Sequence, residues 1–234
     1  MEVMKKILYA LKTTKKYESR RKCQSETWLS GIEDYIYYSD HEDLENNVIF
    51  TSHDDTYQGL MEKSLYFYNN LGNIFLNESD KSILDSYEWI FIGDDDTFVN
   101  TKKIENLLLT CDDNCAYGYL MSQEKDSRNM VWRDFSHVWR LGENYFSGGG
   151  GILVSTKSLK KVNEFVDYGI NTAFEDCTIS LNLSRNGINL IDCEFFHSTV
   201  PEYFGQTDED IVNNITYHHI SEDRMYTLYE YLND

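Results

Sequence analysis

Read for the spacing of its apolar positions, the chain alternates short apolar runs with longer amphipathic stretches. Lys6 to Leu11 reads as a strand, a charged helix follows from about Glu18 to Leu29, and Asp34 to Tyr38 and Val48 to Thr51 read as further strands. Met61 to Leu71 has helical spacing. After a polar loop, Trp89-Ile90-Phe91-Ile92 is too apolar and too rich in β-branched and aromatic residues for a surface strand, which predicts a buried one. Asn100 is placed to cap a short helix through Leu109, with CAYGYL, Cys115 to Leu120, as a strand beyond it. The stretch from Ser122 to Asn144 is polar and aperiodic, with Trp132, His137 and Trp139 scattered through it, and reads as a functional loop or irregular hairpin. Four glycines, Gly148 to Gly151, then feed a short apolar strand and a helix. Glu175 and Asp176 open an amphipathic helix ending near Asn186-Gly187, NNITYHHI is strand-like, and a Ser221-capped helix closes the chain. Adjacent residues of a strand point to opposite faces, so His218 and His219 are expected not to share one site. Strands alternating with helices favour a three-layer α/β fold with a mostly parallel sheet. With no long linker or repeat and a single proline, Pro201, one domain over residues 1–234 is expected.

The chemistry concentrates where the buried run meets Asp94, Asp95 and Asp96. Three adjacent carboxylates repel one another unless water, a helix N-terminus or a cation absorbs the charge. They stand where a buried strand exits, the usual ligand crevice of an open α/β sheet. Hard oxygen ligands there suit Mg²⁺ or Mn²⁺, which typically hold a substrate's phosphates, so the run reads as a metal-diphosphate site; solvated decoration is the competing reading. The glycine run permits positive φ and close approach of backbone to a ligand. Glu175 and Asp176 have two readings, as partners of a helix dipole or as chemically active acids.

Composition narrows the partners. With 40 Asp+Glu against 21 Lys+Arg the formal charge is -19, and the pI is about 4.6. Nucleic acid and anionic membranes both need a basic footprint and are excluded as partners. An anionic substrate would need a local cation. Tyr and Trp, at 18 and 4, are abundant enough to line sugar-binding surfaces as well as pack the core. The five cysteines, Cys23, Cys111, Cys115, Cys177 and Cys193, form no CxxC pair and imply neither a zinc site nor a disulfide framework. Sequons occur at Asn77, Asn182 and Asn214. The N-terminal apolar run is only about five residues, far short of a signal peptide or membrane span, so the chain as given is expected to be soluble.

Six separated motifs, in order and covering about Lys12 to Leu232, resemble the Fringe and core 1 β1,3-galactosyltransferase group. KTTKKYESRRKCQSETW followed by YIYYSD looks like the first nucleotide-binding unit of Fringe proteins. WIFIGDDDTFVN resembles their DDD-aromatic-Val motif, SGGGGILVSTKSL their glycine-rich strand entry, and EDCTISLNL their acidic helix start. FFHSTVPE and ITYHHISEDRMYTLYEYL look more like the core 1 enzymes. The resemblance implies a GT-A fold, its three-layer sandwich built on a mostly parallel central sheet. Residues 1–110 would form the nucleotide-binding half and 111–234 the acceptor-side half. It also implies an inverting, metal-dependent hexosyltransferase that carries a hexose or N-acetylhexosamine from a UDP-sugar, with Mn²⁺ or Mg²⁺, to a glycan or glycoprotein hydroxyl in β1,3 linkage. By the same resemblance Asp94 and Asp96 form the D-x-D pair, Asp96 contacting the metal and Asp94 the metal or ribose. Lys12, Thr13, Thr14, Asp40 and Asp95 lie toward the nucleotide, and Gly149 and Gly150 pass near the donor sugar. Asp176 is the general base with Glu175 as understudy. The third metal ligand is His218 by the core 1 pattern, with His197 the alternative by the Fringe pattern. Family members are generally held in the secretory pathway by an N-terminal membrane anchor; with no such run in the sequence as given, the expectation is either that the anchor is removed or that this is a soluble relative, microbial or viral.

Two other readings remain. A haloacid dehalogenase-type phosphohydrolase also ends an apolar strand in D-x-D, but there the motif lies near the N-terminus with Thr or Val where Phe98 stands. A sugar- or nucleotide-binding module without catalysis is the second, weighed against by the retention of both D-x-D and Asp176. Trp132 and Trp139 are expected to contact the acceptor or, equally, to pin their loop by packing.

Overall fold

The computed structural model describes residues 5–54, 56, 59–76, 80–122, 144–168 and 175–233. Trp132, His137, Trp139 and the sequon residue Asn77 lie outside them.

The apolar runs become strands β1 (Ile7–Lys12), β2 (Tyr35–Ser39), β3 (Val48–Phe50), β4 (Trp89–Asp94), β5 (Phe98–Val99), β6 (Cys115–Gly118), β7 (Leu120–Met121), β8 (Tyr145–Phe146), β9 (Ile152–Ser155), β10 (Asn189–Asp192) and β11 (Thr216–Tyr217). The amphipathic stretches become helices α1 (Glu18–Glu26), α2 (Gly59–Asn70), α3 (Ile83–Ser86), α4 (Thr101–Leu108), α5 (Thr156–Leu159), α6 (Glu175–Arg185) and α7 (Glu222–Asn233). Seven strands form one sheet in the order β10-β6-β9-β4-β1-β2-β3. Every pairing in it is parallel except the two made by β9, which runs antiparallel to both β4 and β6.

Alternation along the central strands divides the core into two layers. Tyr9, Leu11, Trp89 and Phe91 face one side, packing with Trp28, Ile104 and Leu108, and Met225 and Leu228 of α7. Leu8, Ala10, Ile90 and Ile92 face the other, against Phe67 of α2, Ile83 of α3, Leu159 of α5 and Ile179 and Leu183 of α6. A strand sandwiched this way has no wet face, which is why β4 reads as an uninterrupted apolar run. Asn100 caps α4 by accepting a hydrogen bond from the Lys103 amide, as its position predicts.

The strand order reverses between β1 and β4: from β1 the chain steps outward to β2 and β3, then crosses back to lay β4 on the other side. This is the topological switch point, where the carboxyl ends of neighbouring strands part to leave a crevice. Lys12 and Asp94, the last residues of β1 and β4, are register partners there.

Several expectations need correction. CAYGYL is two strands, broken after Gly118. The helix expected after the glycine-fed strand is one turn, α5, because Val162 to Val166 is not helical. The strand β10 went unanticipated; it lies at the sheet edge with exposed Asn189, Ile191 and Asp192, so its apolar pattern is weak. Asn182 is buried within α6 with its amide bonded to Val166 and Thr178, and Asn214 is buried with bonds to Gln206, Asp210 and Tyr217, so neither sequon side chain is open to a glycan. All five cysteines are free thiols. No helix among the described residues is long and apolar enough to cross a membrane.

Candidate active site

Strand β4 ends by delivering the three aspartates into different environments. Asp95 is buried, accepting a hydrogen bond from Thr13 Oγ1 at 2.6 Å and pairing with Arg20 Nη1 at 3.0 Å. Burial pushes its carboxyl up to about 6 despite those two bonds. Asp94 and Asp96 are half-buried and face the crevice. Asp96 Oδ1 lies 3.1 Å from His218 Nε2, Asp96 Oδ2 lies 3.3 Å from Arg20 Nη1, and Asp94 Oδ2 is 3.6 Å from the same His218 nitrogen. Burial would raise the Asp96 pKa, but the neighbouring imidazoles of His218 and, farther off, His219 reverse this and hold the carboxyl well below the usual carboxylate range.

His218 arrives from β11, which pairs antiparallel with β5 just beyond the acid run. Burial opposes its protonation, but the Asp96 carboxylate prevails and its pKa is raised. The expectation that His219 points away is overturned. The strand stops at Tyr217, and His219 adopts φ 58, the left-handed region. That turn folds its ring back against His218, centroids 3.7 Å apart, with Nδ1 3.8 Å from Asp96 Oδ2. His197, the alternative histidine, is buried elsewhere: Nε2 meets Gln206 Oε1 at 2.9 Å and the ring stacks on Phe204. Of the two candidates, the fold brings His218 to the D-x-D pair and not His197. An ionised carboxylate beside imidazole nitrogens is a donor set that fits a divalent transition-metal cation.

The glycine run forms the opposite wall. A Cβ on Gly149 would fall 2.0 Å from Cε1 of His218, so the imidazole occupies the space a side chain would need. Gly151 holds φ 90, and a Cβ there would fall 2.6 Å from the Phe91 ring, so only glycine lets the chain enter β9 at this point. Thr97 Oγ1 donates to Gly149 O at 2.8 Å and ties the run to the acid loop. Beside Gly149, the Gly148 amide donates to Asp176 Oδ2 at 3.1 Å, and the Cys177 amide to Oδ1 at 2.8 Å. Burial, and then the adjacent Glu175 carboxylate, push the Asp176 carboxyl up to about 6.

Lys12 links the two acidic elements. Its side chain is buried, with Nζ 2.9 Å from Asp94 Oδ1 and hydrogen-bonded to Glu175 Oε1. Burial works against the charge, but Asp94 and Glu175 outweigh it and hold the ammonium well above the usual amine range. Thr13 and Thr14 follow at the rim, both buried, and the Thr14 hydroxyl has no hydrogen-bond partner among the described residues. Asp40, the residue after β2, accepts from the Lys15 amide at 2.8 Å and from Ser39 Oγ at 2.9 Å, which shapes the loop between β1 and α1. Gly150 lies against the backbone of His197 and Ser198, where a Cβ would fall 3.3 Å from the His197 carbonyl oxygen.

Two contributors escaped sequence reasoning. Arg20 looks like one more charge on a polar helix, and only the fold shows its guanidinium reaching Asp95 and Asp96. Gln24, fully buried, donates from Nε2 to the carbonyls of Asp94 and Thr97 and so fixes the acid loop's backbone. No spacing signal marks either one.

A mixed sheet with one reversed strand, and an acid run at its switch point, defines a GT-A glycosyltransferase fold. It is shared with a solved galactosyltransferase, LgtC, in complex with donor and acceptor sugar analogues, at TM-score 0.54 over 97% of this chain and 96% of that one. It is shared also with a glycosyltransferase involved in glycosylation of the major capsid of PBCV-1, at TM-score 0.55 over 95% and 98%. At 14% and 15% identity these likenesses establish architecture alone. Within that class the chain belongs to the Fringe-like family, whose pattern it matches over residues 2–228. It is 25% identical to a mouse β-1,3-glucosyltransferase over 83% of this chain and 36% of that protein. It is 28% identical to the zebrafish β-1,3-N-acetylglucosaminyltransferase lunatic fringe over 90% of this chain and 58% of that protein. The chain thus spans about a third of the first relative's length and less than two thirds of the second's. This family membership removes the haloacid dehalogenase reading.

Proposed function

We propose that the chain is a metal-dependent inverting glycosyltransferase that moves a hexose or N-acetylhexosamine from a UDP-sugar to a hydroxyl of a glycan or glycoprotein, forming a β1,3 linkage. The reading rests on one observation above all: a carboxyl raised to about 6 and an acid-histidine cluster stand on one rim, joined through Lys12 and the glycine run. The names of the glucosyl- and N-acetylglucosaminyltransferase relatives support the β1,3 linkage and the range of donors. Residues 1–110 form the nucleotide half in this reading, and residues 111–234 the acceptor half.

Asp96 and His218, with Asp94 beside them, hold the cation. A bound divalent ion would neutralise a diphosphate and stabilise it as a leaving group. In a chain of charge -19 that neutralisation is what admits an anionic donor. Thr13, Thr14 and the loop shaped by Asp40 line the nucleotide's approach at the ends of β1 and β2. Lys12, committed to Asp94 and Glu175, holds the crevice walls together. Gly149 and Gly150 let the run pack against His218 and the His197–Ser198 backbone, and the run's backbone lies toward the donor sugar in this reading.

Inversion needs one base, which takes the acceptor hydroxyl's proton as that oxygen attacks opposite the leaving group. Asp176 fills this role. Two backbone amides fix its orientation, and a pKa of about 6 leaves it ionised at neutral pH yet more basic than an exposed carboxylate.

Asp176→Asn tests the reading. Donor affinity with Mn²⁺ should stay near normal while turnover falls by about 10²- to 10⁴-fold, the usual contribution of a general base. Near-normal turnover would remove Asp176 as the base and direct attention to Glu175. A wild-type chain that releases no UDP from any UDP-sugar in the presence of Mn²⁺ would instead mark a binding module without catalysis.

A further inference from the structure

The left-handed turn at His219 has no structural need that its own side chain meets. Asn47 is the only other non-glycine residue with positive φ among the described residues. A bulky side chain adopts that region rarely, and such conformations concentrate where a site requires them. Had β11 continued, His219 would project to the opposite face. Instead the turn is held from both sides, by the His218 amide donating to Thr199 O at 3.3 Å and the Ile220 amide donating to Asp96 O at 3.0 Å. The second bond fixes the turn to the acid run itself.

This backbone places the two rings nearly parallel, 28° between planes, on one side of Asp96. One oxygen or nitrogen from each of Asp96, His218 and His219 falls within 4.8 Å of the others, the one group of three such residues among those described. Packing does not explain the position of His219, whose side chain is 62% exposed. It opens on a cleft of about 540 Å³ lined by Arg20, Asp96 and residues 220–223, which leaves room for further ligands.

We propose that His219 is a second imidazole ligand of the divalent cation, so that Asp96, His218 and His219 form a donor set that selects a first-row transition-metal ion over Mg²⁺. The inference rests on the reading of Asp96 and His218 as cation ligands and extends it. Mg²⁺ favours an all-oxygen octahedral shell, whereas imidazole suits the transition metals. Each nitrogen that replaces an oxygen widens the gap between the two kinds of ion.

His219→Gly provides the test, because glycine adopts φ 58 without strain and the fold should be retained. Metal affinity is read by calorimetry with Mn²⁺, Co²⁺ and Mg²⁺ on the full chain, alongside the visible absorption of the Co²⁺ form and the melting temperature of the metal-free form. Affinity for Mn²⁺ and Co²⁺ should fall roughly 10-fold or more, at least the loss seen when a group supporting a ligand is removed. Mg²⁺ affinity should fall less, the Co²⁺ bands should change, and metal-free melting should hold or rise. His219→Asn, which also tolerates this backbone, serves if the glycine variant does not fold. Unchanged Mn²⁺ affinity and Co²⁺ spectrum in the variant, with both lost in Asp96→Ala, would overturn the role of His219 alone. A wild-type chain that binds neither Mn²⁺ nor Co²⁺ would overturn it together with the underlying metal reading.

Discussion

Asp95 and Asp96 leave the end of β4, and Glu175 and Asp176 open α6; the two pairs are organised in the same way. One acid of each pair is buried and tied to a cation: Asp95 to Arg20, Glu175 to Lys12. Its neighbour in sequence stays half-buried and turns toward the crevice, Asp96 beside His218 and Asp176 beneath the Gly148 amide. Adjacent carboxylates cannot both remain charged in one small volume unless something separates their surroundings. Here the cation-bound member anchors the element while the other is left for chemistry. The pairs differ in the sign of the result. The histidines hold Asp96 well below the usual carboxylate range, which suits a ligand, whereas burial and Glu175 push Asp176 up to about 6, which suits a base.

Breaking the anchors separates structure from chemistry. The largest effect is expected from Lys12→Met, which leaves half-buried Asp94 and buried Glu175 without their shared counter-charge. Denaturant unfolding should report a loss of about 3–5 kcal/mol, the usual cost of breaking a buried pair. A loss below about 1 kcal/mol would mean that water already shares the load.

The pH profile sharpens the contrast between Asp96 and Asp176. An unperturbed Asp titrates near 3.9, so a folded value of about 6 means that the native state holds the proton more tightly than the unfolded chain. Two opposite trends follow. The group's contribution to stability is complete below about pH 4 and is lost as pH rises through about 6, while turnover, which needs the carboxylate, rises over the same interval. Turnover should drop about tenfold per pH unit below 6, and Asp176→Asn should lack that limb. A limb that persists in the variant would belong to another group.

Gly149→Ala probes the wall between the pairs. Its new methyl would land on the His218 ring, which must swing away from Asp96. Mn²⁺ affinity should fall roughly tenfold, a loss typical of a misoriented ligand, with the melting temperature changed little. The smallest effect is expected from Arg20→Met. The guanidinium is a third exposed, so unfolding should register only about 1 kcal/mol even though the variant removes both of its ion pairs.

The sequence shows much of this because the central strands are buried on both faces, and burial on both faces leaves an unmistakable apolar run at β1 and β4. The acid run, the glycine run and the Glu175-Asp176 pair are contiguous, and so legible as motifs. Two kinds of feature stay hidden. Edge strand β10 buries too little, and the two-residue strand β5 is too short, to leave a period. The partnering of Arg20, Gln24 and Lys12 depends on where elements many residues apart come to rest, and no local spacing encodes that. His219 misleads for a different reason: the alternation rule is sound, but the strand ends one residue before the histidines begin.

Strand β9 also determines the order in which the sheet can be assembled. Strands β1 to β4 come from the first 94 residues and pair directly with one another, whereas β6 and β10 touch that group only through β9. The sheet therefore has two parts, and the reversed strand is the seam between them. The pairings Ala10 with Ile36, between β1 and β2, and Ala116 with Val154, between β6 and β9, close shorter stretches of chain than those made by β4, Leu8 with Ile90 and Ile90 with Val154. The longer closures form late because the entropy of closure comes before the reward. In pulsed hydrogen exchange during refolding, the amides that bond β1 to β2 and β6 to β9 should be protected first, and those of β4 should become protected as the two parts join.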